Sequence, residues 1–393
     1  MVNAECSVHN GEMVVALFGA IDSSNAAAAE KEINRFLDGT VRTVIFDCEK
    51  LSDISSDGLR MILRLKNAVP DARVVSVSPG VYDRLNAAGF TGLMNVTKAY
   101  RMISVAGCEV IGSGSAGTVY RVDADTIVKV YAYPDSLGDI RRERELARTA
   151  FALGIPTAIP YEIVRVEGGF FGSVFELLDA KSFAELLRTG EKSTDEVALM
   201  CAELMRRMHS TEAKPELLPD MKRTVLGWVD CAEDFVGKPL TDKLRALVSA
   251  VPSDNRLIHG DFHIKNIMYQ NGEALLVDMD TLSRGNPIFE LGCLDAAYCG
   301  YSEADPGDTV RFFGIEHGTA LRLWDGILRR YLNGADEETV KKAGEKARII
   351  ASLRVLRHVK LHRSGPDGGG RALAALCAAH LGELVPVTDS LII

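Results

Sequence analysis

The pattern of secondary-structure signals changes near residue 105, and this change restricts the fold more than any other feature of the sequence. Before it, apolar strand signals alternate with helix signals, as in EMVVALFG, SSNAAAAEKEINRFLDG and TVIFDC. After it come short strands with Gly-rich and Asp-rich connections, and beyond residue 182 almost only helix signals, apart from a β-rich stretch at 256–280. The first pattern predicts a small α/β domain, and the second predicts a β-rich lobe followed by a helical lobe.

No linker rich in Pro, Gly or Ser separates the two patterns, so we expect a tight boundary between two domains. The predicted domains are 1–102 and 103–393, and the second has a β-rich lobe over about 103–180 and a helical lobe over about 181–393.

Composition and charge exclude some classes of function. The chain is 47% hydrophobic and carries a net charge of −9 without any Lys/Arg run, which argues against nucleic-acid binding. The apolar stretch MVVALFGAI at 13–21 is too short to span a membrane, and no signal peptide precedes it. The eight cysteines form no CxxC pair, so we expect buried, reduced thiols in a cytoplasmic protein without a membrane partner.

The first hundred residues carry the segments GAIDSSNAAAAEKEI and TVIFDCEKLSDISSDGLRMIL. With Asp22 after the second strand signal and an SS-x-GL turn at a helix start, they resemble a STAS domain, the module of anti-sigma-factor antagonists. The resemblance implies a domain that acts through contacts with a partner protein.

The STAS resemblance departs from the family pattern at Asp57. Switchable members are phosphorylated on a serine directly before the Gly-Leu pair, where this chain has Asp57. An aspartate in the first turn of a helix is stabilised by the helix dipole by roughly 0.3–1 kcal/mol, which gives it a structural role. Ser55 and Ser56 are weaker candidates for phosphorylation, because each is also typical of a helix cap. Whether the domain regulates the second domain or is itself phosphorylated stays open.

The segment GSGSAGTVY carries the glycine pattern of a phosphate-binding loop, in which backbone amides approach phosphate oxygens closely. Dinucleotide-binding folds share this pattern, but there the loop opens a helix, whereas TVYRV continues as a strand. We therefore expect Gly112, Ser113, Gly114, Ser115 and Gly117 to bind nucleotide phosphates.

Lys129 lies inside the apolar strand signal IVKVY, where it is expected either to reach the α- and β-phosphates or to extend to the surface. Its expected partner is a glutamate on the next helix. Glu143 shares a core-facing stripe with Leu146 and Ala147, whereas Glu145 faces solvent, so we predict Glu143.

The segment HGDFHIKNIM at 259–268 is the most specific signal in the chain. Asp261 is placed to accept a proton from an acceptor hydroxyl, and the Asn266 side-chain carbonyl is a suitable ligand for a divalent cation. We expect His259 to be structural and assign no catalytic role to His263.

The segment LLVDMD at 275–280 places Asp278 at the end of an apolar strand signal. A buried aspartate is costly unless it is paired or bound to a metal. Asp278 is therefore the expected main Mg²⁺ ligand beside the β- and γ-phosphates, with Asp280 as a secondary one.

These four elements occur in the order of a phosphoryl-transfer site and resemble the aminoglycoside phosphotransferase and choline-kinase branch of the kinase-like superfamily. HGD stands where protein kinases have HRD, VDMD stands in place of DFG, and NPIFELGCLD at 286–295 matches the segment that follows in that branch. The resemblance implies an α+β bilobal, protein-kinase-like fold. It also implies a structural His209 in MRRMHST and an anchoring carboxylate at Glu290, where members often have Asp.

The resemblance further implies that the nucleotide base lies against FELL at 175–178, so Glu176 and Leu178 are expected to border it. ATP is the expected nucleotide, and the sequence does not separate it from GTP.

The predicted function is transfer of the γ-phosphoryl group from ATP, with Mg²⁺, to a hydroxyl of a small molecule. Acidic residues of the helical lobe favour a cationic acceptor such as an amino sugar or amino alcohol, although the stretch SEADPGD also fits a solvated loop. These residues are Glu290, Asp295, Glu303, Asp305 and Asp308. The alternatives are a protein kinase or a nucleotide-binding regulator in an anti-sigma-type system, in which the STAS-like domain recruits a protein partner.

Overall fold

The computed structural model of the protein describes residues 3–114, 117–134, 136–362 and 368–393. They divide into two units, Met1–Ile103 and Ser104–Ile393, each with its own hydrophobic core. Across the described ranges, no helix has the length and apolar character needed to cross a membrane.

The first unit is a sheet covered by helices. Its strands are β1 (Ala4–His9), β2 (Glu12–Ile21), β3 (Thr43–Ile54), β4 (Asp71–Val77), β5 (Asn95–Lys98) and the short β6 (Arg101–Ile103). Its helices are α1 (Ala26–Asn34), α2 (Ser56–Ala68), α3 (Pro79–Ala87) and α4 (Phe90–Leu93). The sheet order is β1-β2-β3-β4-β5, with β1 antiparallel to β2 and the remaining neighbours parallel. Parallel neighbours follow from the alternation of strands and helices, because each return crossing needs a helix.

Alternation along β2 determines which face of this sheet is covered. Met13, Val15 and Leu17 are buried, while the residues between them are half-buried. Helix α2 buries Met61 and Ile62 in the same core. The buried residues of β2, which are spaced two apart, and those of α2, which have helical spacing, therefore form one apolar layer.

The SS-x-GL turn brings α2 onto the sheet. Ser55 is the N-cap, and its Oγ accepts a hydrogen bond from Gly58 N at 3.4 Å. A Cβ on Gly58 would lie 2.7 Å from Ile54 Cγ1 and 2.8 Å from Ile21 Cγ2. Glycine is thus needed here because the first turn of the helix touches two strands.

Two aspartates singled out in this unit have local partners. Asp22 accepts hydrogen bonds from Ser24 N at 2.8 Å and from Ser24 Oγ at 2.5 Å. Asp57 forms a surface ion pair of 2.8 Å with Arg60, one helical turn further on. Both carboxylates have structural contacts that do not involve phosphorylation.

The second unit begins with an antiparallel sheet. Its elements are β7 (Val110–Gly114), β8 (Gly117–Arg121), β9 (Thr126–Tyr131), α5 (Leu137–Ala152), β10 (Pro160–Val166) and β11 (Phe170–Glu176). These strands lie in the order β10-β11-β9-β8-β7, so that β9 is central. Helix α5 packs against β10 and β11.

The remainder of this unit is mainly helical. Its helices are α6 (Phe183–Thr189), α7 (Thr194–His209), α8 (Met221–Val236), α9 (Lys238–Ala250), α10 (Pro287–Tyr298), α11 (Gly307–Phe313), α12 (His317–Tyr331), α13 (Glu337–His362) and α14 (Gly368–Val387). Its short strands are β12 (Lys181–Ser182), β13 (Leu257–Ile258), β14 (Ile267–Gln270), β15 (Glu273–Leu276) and β16 (Ser283–Arg284). Two 3₁₀ turns span Met279–Thr281 and Gly300–Ser302.

Helix α10 is the centre of the helical lobe, because nearly every one of its residues is buried. Helix α13 crosses it so closely that a Cβ on Gly292 would lie 2.4 Å from Ile350. The predicted fold class is confirmed, with an α/β unit followed by a β-rich lobe and a helical lobe. All eight cysteines are free thiols, and Cys6, Cys108 and Cys231 are only partly buried, unlike the rest.

Candidate active site

The glycine-rich segment forms the β7–β8 hairpin, in which Gly114 faces Gly117. A Cβ on Gly117 would lie 2.1 Å from the carbonyl oxygen of Val130 on β9, so only glycine fits between the two strands. At Gly112 the nearest atom would be 3.8 Å away, and at Gly114 nothing lies within 4 Å. Packing therefore requires glycine at 117 but leaves open space at 112 and 114, where a ligand can approach the backbone.

This segment also contains the two serines that the sequence assigns to phosphate binding. Ser113 lies in β7 opposite Thr118 and is exposed. Ser115, predicted to bind phosphate, lies outside the described residues.

Lys129 occupies the middle of β9 and does not extend to the surface, since its side chain is only 14% exposed. Its Nζ donates to Glu143 Oε1 and to Asp278 Oδ1, each at 2.8 Å. Burial alone would lower the pKa of Lys129, but the charges of Asp278 and Glu143 raise it above its usual range. The ammonium is therefore charged and links the sheet to the helical lobe.

Glu143 is buried on α5 and accepts a second hydrogen bond from the hydroxyl of Tyr131. Burial, followed by the charge of Glu143, raises the pKa of Tyr131, so this hydroxyl stays protonated as a donor. Glu145, by contrast, is 66% exposed and lies 3.4 Å from Arg148. The structure contains the ion pair between Lys129 and Glu143 that helical spacing predicts.

The loop of residues 259–268, hereafter the HGD loop, is held from below by α10. Glu290 is fully buried and accepts hydrogen bonds from His259 N at 2.6 Å and Gly260 N at 3.1 Å. Burial raises the pKa of Glu290 to about 7, against the opposite effect of these two backbone donors. The Glu290 side chain thus anchors the HGD loop through two backbone N–H groups.

His209 and His259 support this arrangement as neutral groups. The His209 Nδ1 lies 2.8 Å from the Tyr331 hydroxyl, and its Nε2 is 4.0 Å from Glu290 Oε2. Burial lowers the pKa of His209 to about 3, so the ring is neutral and this last contact is not an ion pair. His259 accepts the Asp261 N–H at Nδ1 over 3.2 Å, and burial lowers its pKa as well.

Asp261 is held by three side chains. Arg354 Nη2 donates to its Oδ1 at 2.6 Å, while His263 Nε2 and Asn266 Nδ2 lie 3.3 and 3.2 Å from its Oδ2. Burial on its own would raise the pKa of Asp261, but the His263 hydrogen bond and the charge of Arg354 lower it below its usual range. The carboxylate is therefore ionised, partly exposed and fixed in orientation.

Arg354 is the residue of this site that the sequence did not reveal. It lies on α13, 93 residues beyond Asp261, outside every local motif. One signal was present: Arg354 follows Ile350 at i+4 and Ala347 at i+7 on an apolar helix face. An arginine in such a stripe needs a buried partner, as the lysine in strand β9 does.

A backbone hydrogen bond links Asn266 to the residue before Asp278. The N–H of Val277 donates to the backbone carbonyl of Asn266 at 3.0 Å, which places Asp278 next to it. The Asn266 Nδ2 faces Asp261, so its Oδ1 is directed elsewhere. Asp278 has a left-handed backbone, with φ 63° and ψ 65°, and its side chain is 40% exposed.

These oxygens suit Mg²⁺, which binds through one or two carboxylates and keeps water or phosphate oxygens as further ligands. Asp280 lies close by, and burial together with the charge of Asp278 raises its pKa to about 7. Within the described residues, no group of three or more His, Cys, Asp or Glu side chains is placed to hold a metal by itself. The donor set therefore fits a metal that is completed by the phosphates of a nucleotide.

The predicted base-binding segment follows β11. Glu176 N donates to Ile159 O at 3.0 Å, and Leu177 N donates to Asp125 O at 2.8 Å. Leu178 is the next residue, and its N–H has no backbone partner in the part of the chain that the structure describes. The Glu176 carboxylate accepts the N–H of Ile159 at 3.3 Å, so this side chain has a structural contact.

A β-rich lobe, a helical lobe and this set of side chains together define a kinase-like phosphotransferase. Residues 107–326 match the profile of the phosphotransferase enzyme family, and the chain belongs to that family. Residues 3–102 match the STAS domain. Both resemblances seen in the sequence are confirmed.

Several solved structures are similar to this chain at low sequence identity. An aminoglycoside phosphotransferase, APH(2'')-Ib with bound ADP, is 15% identical over 76% of this chain and 98% of its own, with a TM-score of 0.50. A thermostable mutant of aminoglycoside phosphotransferase APH(4)-Ia with ADP and hygromycin B is 14% identical over 73% and 95%, with a TM-score of 0.49. A choline/ethanolamine kinase family protein from Mesorhizobium loti is 16% identical over 72% and 88%, with a TM-score of 0.45. No curated protein matches the chain in sequence.

Proposed function

We propose that this protein transfers the γ-phosphoryl group of ATP, with Mg²⁺, to a hydroxyl group of a small molecule. The observation that carries the proposal is the continuous set of contacts from Glu143 through Lys129 to Asp278, beside the pair of Asp261 and Asn266. Family membership supports the reaction type, and the ADP in the APH(2'')-Ib structure supports an adenine nucleotide.

In the proposed mechanism, Lys129 and the backbone around Gly112 and Gly114 hold the phosphates. Asn266 and Asp278 would hold Mg²⁺, whose charge offsets that of the phosphoryl oxygens. We propose these site residues because of their geometry, and we propose that the nucleotide base binds near Glu176 and Leu178.

Asp261 would accept a hydrogen bond from the acceptor hydroxyl and then its proton. The hydroxyl oxygen forms a bond to the γ-phosphorus, while the bond from that phosphorus to the β–γ bridging oxygen breaks and ADP leaves. Arg354, His263 and Asn266 hold the Asp261 carboxylate in one orientation. This supports its role as the base, because a base must be oriented before the acceptor arrives.

The STAS-like domain, proposed as residues 1–102 ahead of a phosphotransferase domain at 103–393, is assigned to binding a partner protein. The match to the STAS family supports this assignment. A pull-down with the full chain should recover the partner. Substitutions of exposed residues in the first unit that abolish this capture would identify the binding face.

The reaction is tested by incubating the full chain with labelled ATP or GTP, Mg²⁺ and a panel of amino sugars, amino alcohols, hydroxy acids and proteins. We expect label on a small molecule. Label on protein acceptors alone would favour a protein kinase, and failure to bind either nucleotide would overturn the proposal.

A further inference from the structure

The positive charge of Arg354 lies directly against the proposed base. Its Nη1 donates to Gly260 O at 2.5 Å and its Nη2 to Asp261 Oδ1 at 2.6 Å, and its side chain is 17% exposed. The side chains of Cys293 and Tyr301 lie beside the guanidinium. In the described ranges, Asp261 is the one carboxylate within 4 Å of it. The base therefore brings no net negative charge to the place where an acceptor approaches.

A second cation, Lys265, stands on the HGD loop itself. It is exposed, and its Nζ lies 4.3 Å from the centre of the Phe312 ring. Phe312 packs edge-on against His263 at 5.4 Å, and His263 reaches the other oxygen of Asp261. No carboxylate forms an ion pair with Lys265 among the described residues. Arg354 thus binds one oxygen of Asp261, while His263 contacts the other and packs against the Phe312 ring that lies under Lys265.

The carboxylates that the sequence assigned to a cationic acceptor are engaged elsewhere. Glu290 is buried under the HGD loop. Asp295 lies 2.7 Å from Arg348. Glu303 is 3.4 Å from Arg348 and 2.6 Å from His380.

The remaining two carboxylates of that set share one arginine. Arg311 lies 2.5 Å from Asp305 and 2.6 Å from Asp308, all at the surface near α11. The expectation of an acidic patch for a cationic acceptor is therefore not supported, because each of these side chains already has a partner.

From this charge balance we propose that the acceptor is an alcohol bearing an acidic group, a carboxylate or a phosphate, which Arg354 and Lys265 bind beside Asp261. The inference rests on the proposed function and names its substrate class. Asp278 does not offset the two cations, because Lys129 already pairs with it. An ammonium group near Arg354 and Lys265 would be repelled, whereas an oxyanion gains charge-assisted hydrogen bonds.

The test uses two series of acceptors, each with one carbon skeleton, whose members differ mainly in the charge of one substituent. Glucosamine, glucose, glucuronate and glucose 6-phosphate share one ring, and 3-amino-1,2-propanediol, glycerol, glycerate and glycerol 3-phosphate form a second series. Each is measured for kcat/KM with Mg-ATP and for binding to the complex with a non-hydrolysable ATP analogue. The acids should exceed the neutral compound by about 10- to 100-fold, the worth of one charge-assisted hydrogen bond. The two acids of each series separate carboxylate from phosphate recognition.

Two outcomes would overturn the inference: amino compounds that perform as well as the acids, or acids that fail to bind in both series. Nucleotide binding is measured in parallel with a fluorescent ATP analogue. A protein that binds no nucleotide contradicts the proposed function itself, whereas one that binds ATP without any preference for acids contradicts the inference alone.

Variants separate charge recognition from positioning. Arg354→Gln and Lys265→Gln should each lower the acid-to-neutral ratio of kcat/KM by about tenfold, while Arg354→Lys retains the ratio even where the rate falls. Lys342→Gln, an exposed residue of α13 paired with Glu338, is the matched control. If Arg354→Gln slowed acid and neutral acceptors equally, Arg354 would be a positioning residue only, and its proposed part in acceptor recognition would be wrong.

Discussion

Asp278 accepts a hydrogen bond from Lys129 over 2.8 Å, although 149 residues separate the two in the chain. The contact joins the central strand of the β-rich lobe to the segment after β15. The same ammonium donates to Glu143, so one charge holds two carboxylates from different elements. Because Lys129, Glu143 and Asp278 meet here, this site is a candidate for phosphate and metal binding.

Lys129→Met should therefore impair catalysis severely. It removes the positive charge proposed to bind the phosphates and leaves Glu143 buried without its cation, so we expect kcat/KM for ATP to fall by roughly 10²-fold or more. Steady-state kinetics measure this. Glu145→Gln on the same helix is the control, since Glu145 is exposed, and it should keep full activity. A Lys129→Met protein with normal kinetics would contradict the assignment.

Asp261→Ala should lower turnover by roughly 10²–10⁴-fold, because the acceptor hydroxyl loses its orienting base. Nucleotide affinity should change little, since the proposed phosphate contacts come from other residues. Turnover and the Kd of a fluorescent ATP analogue are the two measurements. Asp305→Asn, at an exposed ion pair with Arg311, serves as control. Unchanged turnover in Asp261→Ala would refute the role of this residue.

Substitution of two glycines in one hairpin should give opposite results. Gly117→Ala forces a Cβ to within 2.1 Å of Val130 O, so we expect a loss of about 1–3 kcal/mol and faster amide hydrogen exchange in β8 and β9. Gly114→Ala meets no atom within 4 Å and should leave exchange unchanged while weakening ATP binding by about tenfold. Equal effects of the two changes on exchange would show that the hairpin packs differently.

The neutral, buried His209 predicts a pH dependence of stability. Burial lowers the pKa of His209 from 6.5 to about 3, so the protein binds a proton when it unfolds at a pH between these two values. The stabilisation from the neutral ring is complete above pH 6.5 and is lost progressively as the pH falls, by about 1.4 kcal/mol per pH unit.

His209→Asn keeps a polar group facing Tyr331 but does not titrate. The stability advantage of the natural protein over this variant should shrink by about 2 kcal/mol between pH 7 and pH 5. Urea unfolding followed by tryptophan fluorescence measures it in the helical lobe, because both tryptophans, Trp228 and Trp324, lie there. An advantage that stays constant with pH would mean that burial does not lower the pKa of His209 in the folded protein.

In the STAS unit, Gly58→Ala should destabilise α2 against the sheet. The new methyl would lie 2.7 Å from Ile54 and 2.8 Å from Ile21, which costs about 1–3 kcal/mol. Faster hydrogen exchange in α2 and β3 of the full chain is the expected result. Asp57→Ala, which removes a surface ion pair with Arg60 and a carboxylate that the helix dipole favours, should cost no more than about 1 kcal/mol. Exchange that is unaffected by Gly58→Ala would contradict the close contact.

Local patterns predicted much of the fold and part of the site. Helical spacing alone separated Glu143 from Glu145, and the HGD loop contained Asp261 and Asn266 within a few residues. Sequence could not predict Arg354, because the crossing of α13 over α10 decides which of its side chains reaches the loop.

Two interpretations depend on contacts that the sequence does not show. Asp295 and Glu303 of the helical lobe were expected to attract a cation, but their partners Arg348 and His380 come from α13 and α14, far along the chain. Gly117, predicted to bind phosphate, also contacts the backbone of Val130, and this contact by itself demands glycine. In both cases the deciding neighbour is distant in sequence and close in space.

The left-handed backbone of Asp278 limits how this position can vary. Residues other than Gly, Asn and Asp are disfavoured there by about 1–2 kcal/mol, so Asp278→Glu would lengthen the carboxylate and also strain the main chain. Asp278→Asn and Asp278→Gly fit the conformation but lose the negative charge. Adaptation of this enzyme to other metals or nucleotides would thus have to proceed through substitutions at neighbouring positions, while residue 278 stays aspartate.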